Sequence, residues 1–363
     1  MTASDDIRHM RHALRLAARG LGQVAPNPAV GCVVVTDGAI VGRGWTQRGG
    51  RPHAETEALK QAGAAARGST VYVTLEPCAH QGKTPPCADA LIAAGVARVV
   101  MAVADPDPRV NGQGLAKLEA AGIDVTQGIC EDEARALNRG FFLRVTQARP
   151  LIALKSAQSA DGFVAQSPGK REWITGERAR AHAHILRARY DAILIGIETA
   201  LADDPLLTCR LPGLEQRSPL RVVLDSRLRL PTTARLAQTA RAHPTIVFTT
   251  AARGGEELQA LGVAIERVGG IAGRPTLKSV LTLLAGLGIT RLLVEGGPAV
   301  HAAFLDAGLV DEIHIYRAPQ TIGAGHKAPA AFDAAALASA RDVKLVERLD
   351  LPPDILESYA VTG

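Results

Sequence analysis

Aromatic side chains are scarce in this 363-residue chain: two Trp, four Tyr and six Phe, 3% of the composition. So small a supply leaves few of the stacking platforms that single-strand nucleic-acid binders use. Cysteine is scarce too. Cys32, Cys78, Cys87, Cys130 and Cys209 are too few and too scattered for a disulfide scaffold. A reducing, cytoplasmic setting is expected, with any close Cys pair a metal site. No Lys/Arg run of nucleic-acid type stands out, and a bound phosphate or dinucleotide accounts for the net charge of +5 as well as a polyanion would. No apolar run reaches membrane-spanning length, and the opening MTASDDIRHM lacks the basic-then-apolar pattern of a signal peptide. Neither a nucleic-acid nor a membrane partner is expected. What remains is a globular protein, 47% hydrophobic and 21% charged, too long for one ordinary core.

Two α/β domains are expected, over 1–146 and 147–363. In the first, apolar residues at helical spacing predict a helix over 5–21, with Ser4 or Asp5 as cap. The run 29–45 reads as two strands joined at Asp37-Gly38, a hairpin signal. Helices are expected over 54–65, 87–94, 115–121 and 131–145, and strands over 70–74, 98–103 and 124–126. This order implies a three-layer α/β sandwich. Arg149-Pro150 then breaks the chain, and a new apolar strand follows at once. The second half alternates in its own right, with strands expected over 151–156, 191–195, 220–224, 245–249, 291–294, 312–317 and 355–361. Helices over 177–189, 277–285 and 300–307 lie between them.

Two short stretches carry the chemistry. HAETEAL (53–59) opens a helix, and TLEPCAHQGKTPPCADAL (74–91) runs from a strand end into the next helix. One imidazole and two thiolates, from His53, Cys78 and Cys87, suit Zn²⁺ and leave its fourth tetrahedral position open. A water held there loses its proton near neutrality, and Glu55, two residues from a ligand, is free to carry protons. The pattern is that of zinc nucleobase deaminases, except that eight residues separate the two Cys where about two are usual. A closed structural zinc would need a fourth ligand, for which His80 is the nearby candidate. His80 and Lys83, in this Gly/Pro-rich insert, could reach a substrate phosphate.

The second half has no Gly-x-Gly-x-x-Gly after its first strand, which argues against a Rossmann site. It offers another anion site: a buried strand, then Gly296-Gly297-Pro298, then a helix whose N-terminus presents N–H groups.

APNPAVGCVVV, HAETEAL, TLEPCAHQGKTPPCADALIAAGV and DPDPRVNGQG resemble the deaminase half of the bifunctional deaminase/reductases of riboflavin biosynthesis. IALKSAQSADGFVA, WITG, DAILIGIETALADDPLLTCR, VVLDS and LLVEGGPAVHAAFLDAGLVDE resemble the reductase half. The resemblance implies a cytidine-deaminase-like first domain and a dihydrofolate-reductase-like second. The first would deaminate 2,5-diamino-6-ribosylamino-4(3H)-pyrimidinone 5′-phosphate. The second would use NADPH to reduce the ribosyl chain, giving 5-amino-6-ribitylamino-uracil 5′-phosphate. Zinc would sit on His53, Cys78 and Cys87, with Glu55 as proton shuttle, and Asn27, His80 and Lys83 would hold the substrate. NADPH contacts fall on Ala157, Trp173, Thr199, Asp203, Ser226 and Gly297. Reductase substrate contacts fall on Arg187, Leu207, Arg210 and Glu295, with Lys155 near the hydride path. Two arginines suit a sugar phosphate. The chain departs from the family at Asp107, where Asn is usual, and at Arg171, where Ser is frequent and Arg could add a phosphate contact. A homo-oligomer, a dimer through the reductase domain, is also implied. Two readings outside the family remain: a nucleobase or nucleoside deaminase with an accessory domain, and a non-catalytic ligand sensor.

Overall fold

The computed structural model describes residues 2–79, 81, 85–108, 110–165 and 173–362. Two compact units divide it, Met1–Ala148 and Arg149–Gly363.

In the first unit, helix α1 (Ala3–Ala17) is capped by Thr2, ahead of the expected Ser4 or Asp5. Asp5 instead completes a capping box, its carboxylate accepting the Thr2 N–H while the Thr2 hydroxyl accepts the Asp5 N–H. Strands β1 (Gly31–Thr36) and β2 (Ala39–Trp45) flank Asp37 and Gly38, whose φ values of 49° and 76° meet the demand of a two-residue hairpin turn. Then follow α2 (Ala54–Ala62), β3 (Thr70–Val73), α3 (Cys87–Ala94), β4 (Arg98–Met101), α4 (Gln113–Ala120) and β5 (Asp124–Gln127). The single helix expected over 131–145 is two, α5 (Glu131–Leu137) and α6 (Arg139–Gln147). They meet at Asn138, whose φ of −98° and ψ of 14° leave the helical region and whose side-chain amide accepts from the Ala29 N–H and donates to the Ala29 carbonyl, both at 2.9 Å.

The sheet order is β2-β1-β3-β4-β5, with β1 antiparallel to β2 and β3, and β3, β4 and β5 parallel. One sheet edge therefore collects the start of β1 and the ends of β2, β3, β4 and β5. Glycines set how closely the helices approach. A Cβ on Gly42 or Gly44 would lie 2.2 or 2.1 Å from a carbonyl oxygen of α2, and one on Gly31 would lie 1.9 Å from a carbonyl of α1. Gly44 pairs with Cys32 and Gly31 with Trp45, so these two sets point to opposite faces. Helices α1 and α2 thus sandwich the sheet, and the three layers follow.

The second unit begins with β6 (Leu151–Gln158), β7 (Phe163–Ala165), α7 (Glu177–Arg187), β8 (Ala192–Gly196) and α8 (Ile197–Asp203). Next come β9 (Leu220–Leu224), α9 (Arg235–Gln238), β10 (Thr245–Thr249), α10 (Glu256–Ala260) and β11 (Ala264–Arg267). A small hairpin of β12 (Gly270–Ile271) and β13 (Arg274–Pro275) precedes α11 (Leu277–Gly286), β14 (Arg291–Val294), α12 (Pro298–Asp306) and β15 (Glu312–Arg317). Short β16 (His326–Lys327) pairs with β7, and α13 (Ala334–Ser339), β17 (Val343–Leu351) and β18 (Asp354–Val361) close the chain.

The nine-stranded sheet runs β11-β10-β9-β8-β14-β6-β15-β18-β17. Its two outermost strands, β11 and β17, are additions to the seven expected. Both are largely exposed and carry charged residues, as sheet margins do, so neither shows the apolar run of a buried strand. In the centre, Leu154, Val294 and Ile315 point into the apolar core, and their neighbours Lys155, Glu295 and Tyr316 take the other face.

Candidate active sites

The first site lies at the sheet edge described above. His53 stands at the N-cap of α2, Cys78 follows β3, and Cys87 is the first residue of α3. Their ligand atoms lie within 4.8 Å of one another, close enough to hold one metal ion. His53 Nδ1 is 3.3 Å from Cys87 Sγ and 3.7 Å from Cys78 Sγ. Zn–N and Zn–S bonds at tetrahedral angles would separate nitrogen and sulfur by about 3.5 Å, so the donor set fits zinc. The Cys87 N–H also donates to Cys78 Sγ at 3.3 Å. A hydrogen bond from Cys87 chiefly holds the Cys78 thiol down at about 4, with burial opposing it and His53 adding to it, while Cys87 is pushed up. The pocket thus already favours a thiolate at Cys78. Removing one ligand of three should remove the metal. Cys78→Ser and Cys87→Ser are each expected to lose the roughly one zinc per chain that elemental analysis should find in the parent. Full retention by both would overturn the ligand set.

Glu55 sits in the first turn of α2, only 4% exposed. Burial first, and the charge of Cys78 second, lift its carboxyl to about 7. Asn27 precedes β1 on the same edge, its side-chain amide donating to the Gly50 carbonyl at 2.8 Å. Asp107 lies in the turn after β4, its N–H donating to Asp105. His80 and Lys83 of the insert, and Arg171 of the second half, lie outside the described residues.

One residue of this site gives no sign in the sequence. Glu76, 3% exposed and two residues before Cys78, accepts four backbone N–H groups: Oε2 from Asp105 and Gly112, Oε1 from Gly114 and Leu115. A single carboxylate therefore ties the ligand-bearing turn to residues 105–115. LEPC could have raised it, but a Glu before a Pro has no periodicity to betray a buried acceptor. Glu76→Gln turns an amide NH₂ against two of these donors, at roughly 1–3 kcal/mol for each donor left unpaired. It is expected to speed hydrogen exchange over 105–115 and raise the deaminase KM while zinc stays bound. Unchanged exchange would refute the tie.

The second site is a cavity of about 950 Å³ in the other unit. Its wall includes Lys155, Ala157, Trp173, Arg187, Thr199, Asp203, Leu207, Arg210, Glu295 and Gly297. Ser226 lies outside this wall, after β9, and its carbonyl accepts from the Thr249 and Thr250 hydroxyls. Gly297 caps α12 with Pro298 as the first helical residue, and no side chain caps that end. Arg210 and Arg187, the two arginines expected to meet a sugar phosphate, both line this cavity, and Arg187 is also ion-paired. Its guanidinium clasps Glu295 bidentately, Nε to Oε1 at 2.7 Å and a terminal nitrogen to Oε2 at 2.8 Å. Lys155 Nζ is 3.8 Å from the same Oε2. Burial opposes the Glu295 charge, yet Arg187 and then Lys155 outweigh it and hold the carboxyl at about 2. Burial pulls Lys155 down. His184, His301 and Tyr316 also line this cavity, with His182 Nδ1 2.9 Å from the Tyr316 hydroxyl, and none of them is singled out by the sequence pattern.

Residues 3–103 match the cytidine and deoxycytidylate deaminase zinc-binding region, and residues 150–356 match the RibD C-terminal domain. The riboflavin biosynthesis protein RibD of Aquifex aeolicus is 46% identical over 321 residues, 88% of each chain. Its counterpart in Escherichia coli is 44% identical over 331 residues, 88% of this chain and 89% of the relative. Among solved structures, Acinetobacter baumannii RibD superposes with a TM-score of 0.88 at 40% identity, covering 100% of both chains. A Thermotoga maritima diaminohydroxyphosphoribosylaminopyrimidine deaminase/5-amino-6-(5-phosphoribosylamino)uracil reductase gives 0.87 at 34% identity, covering 99% of this chain and 100% of that one. No helix among the described residues is long and apolar enough to cross a membrane.

Proposed function

Since the chain belongs to the RibD family of bifunctional deaminase/reductases of riboflavin biosynthesis, we propose that residues up to the break near Arg149 carry the deaminase step, and those beyond it the reductase step. The enzyme uses zinc in the first and NADPH in the second. The substrate of the first is the diaminopyrimidinone ribotide named above, and its deaminated product feeds the second. The observation that carries this reading is the His53, Cys78 and Cys87 donor set with the buried Glu55 carboxylate beside it. Neither a nucleobase deaminase with an accessory domain nor a ligand sensor is favoured, because both halves match the one family along nearly the whole chain.

Zinc held by His53, Cys78 and Cys87 would supply Lewis-acid activation of a water. Glu55 would take a proton from the water that attacks the ring carbon bearing the amine. It returns the proton to the nitrogen, the C–N bond breaks and ammonia leaves. Asn27, with His80 and Lys83, holds the pyrimidine and its phosphate. In the reductase site the cofactor carries the chemistry and the protein positions it. Ala157, Trp173, Thr199, Asp203 and the uncapped α12 start at Gly297 bind NADPH, with Ser226 at the far margin. Leu207, Arg210 and Glu295 face the ribotide, and Arg171 adds a cation. Arg187 contacts the ribotide too and, through its ion pair, orients Glu295. The enzyme works in the cytoplasm as a dimer through the second unit; supporting this, the outer strand β17 exposes Leu345 and Val346.

The test is to supply the ribotide with and without NADPH and identify each product by mass. Deaminated ribotide alone should accumulate without NADPH, and the ribityl product should form with it. Ribotide left unchanged under both conditions would overturn the reading.

A further inference from the structure

Between α8 and β9 the chain runs through residues 204–210 without regular structure, yet Leu207, Thr208 and Cys209 are buried there. Buried backbone groups need partners, and here side chains supply them. The Leu206 carbonyl accepts from Arg221 of β9 at 3.2 Å, and the Thr208 carbonyl from Arg187 of α7 at 3.3 Å. The Cys209 N–H donates to the Ser218 hydroxyl at 3.1 Å, and the Arg210 N–H to His184 Nδ1 at 3.3 Å. His184 stands one helical turn before Arg187 on α7, and both line the cavity together with Arg210.

The state of the His184 ring follows from these contacts. Burial first, then the charges of Arg187 and Arg210, hold its imidazole down at about 4, so the ring is neutral near pH 7 and carries one proton. Nδ1 lies 3.3 Å from the Arg210 N–H and 3.1 Å from the Thr208 carbonyl, and it can serve only one of them. The N–H can only donate, whereas the carbonyl already accepts from Arg187. A lone pair on Nδ1 therefore leaves neither group unserved, and the hydrogen-bond network assigns the proton to Nε2. Nε2 has no hydrogen-bond partner among the described residues and is not sealed off inside the protein. A free N–H thus faces a cavity whose wall carries a guanidinium on either side of it in sequence.

We propose that His184 is a third donor of the phosphate subsite, its Nε2–H hydrogen-bonding the 5′-phosphate of the ribotide alongside Arg187 and Arg210. This rests on the reductase reading given above, in which those two arginines meet the phosphate. A phosphate monoester has three acceptor oxygens to satisfy, and hydrogen bonds to a charged acceptor are the strong ones. A neutral donor adds such a bond without setting a third cation beside two others. The same imidazole fixes the Arg210 backbone through Nδ1, so one side chain both contacts the phosphate and places a second group that does.

The test measures reductase kinetics of the full chain, on deaminated ribotide and on its dephosphorylated nucleoside, for His184→Asn and His184→Gln. Asn offers an amide oxygen about where Nδ1 lies and loses the far donor, whereas Gln offers an amide NH₂ about where Nε2 lies and loses the near acceptor. His184→Asn is expected to raise KM for the ribotide roughly 10–100-fold, the loss of one hydrogen bond to a charged group. Its kcat and its KM for NADPH should stay near the parental values, and KM for the nucleoside, which has no phosphate, should not move. His184→Gln should hold the ribotide KM closer to the parent than Asn does. An Asn variant with the parental ribotide KM, a loss of equal size on ribotide and nucleoside, or a Gln variant weaker than Asn overturns the proposal. Should neither variant fold, imidazole ¹⁵N spectra of the parent enzyme carry the test. A protonated Nε2 whose signal moves with inorganic phosphate supports the proposal, and an Nδ1–H tautomer or no response to phosphate overturns it. A parent enzyme that oxidises no NADPH with deaminated ribotide overturns the reductase reading instead, so the two failures are distinguishable.

Discussion

Glu55→Gln is expected to lower deamination by roughly 10²–10⁴-fold while zinc content and fold stay as in the parent. The substitution preserves shape and volume in a site where Glu55 is 4% exposed, so packing around the first turn of α2 is unchanged. An amide cannot accept a proton from water and return it to a leaving amine. The loss therefore falls on the chemical step, in kcat more than in KM. The same variant, given deaminated ribotide and NADPH, should reduce it at the parental rate, because every residue assigned to that step lies beyond Arg149. Mass analysis of the two half-reactions and a zinc determination on the same preparation make the check. Deamination near the parental rate would make Glu55 a structural neighbour and return the proton transfer to an unassigned group.

How much of this was legible in the sequence depended on the kind of signal. The donor set was readable because His53, Cys78 and Cys87 are chemically distinctive and stand at element starts and ends, which sheet topology gathers on one edge. The hairpin at Asp37-Gly38 was readable because a two-residue turn demands positive φ. The break at Asn138 was not, since local periodicity runs through it unaltered and its side-chain partner, Ala29, lies more than a hundred residues away. The marginal strands β11 and β17 were missed because solvent-facing strands have little apolar alternation to read. In the second site, Arg187 and Glu295 were both found, but their partnership was not. A guanidinium suits a phosphate and a carboxylate equally well, and only tertiary structure shows which one it meets.

That partnership has the second large consequence. Glu295→Gln removes the only carboxylate among the described residues shown paired with Arg187 and Lys155, whose side chains are 14% and 17% exposed, and leaves two buried cations side by side. Breaking a buried pair from one side costs about 3–5 kcal/mol, because the remaining charge is stranded. Lys155 can relieve part of this by giving up its proton, since burial already pulls it down, but a guanidinium cannot. The pH dependence has a definite sign. The Glu295 carboxyl is depressed from 4.5 to about 2 on folding. Its contribution is therefore full above the unfolded value and fades as pH falls from about 4.5 towards about 2. The stability gap between parent and variant should be widest at neutral pH and narrow through that acid window. Urea unfolding at several pH values measures it, with hydrogen exchange in β6 and β14 reading the second unit separately. Replacing Arg187 as well, in Glu295→Gln/Arg187→Met, should restore part of the loss, because a neutral pair strands nothing. A single variant as stable as the parent, or a gap that does not change with pH, would mean that Glu295 is not the counter-charge of this cavity.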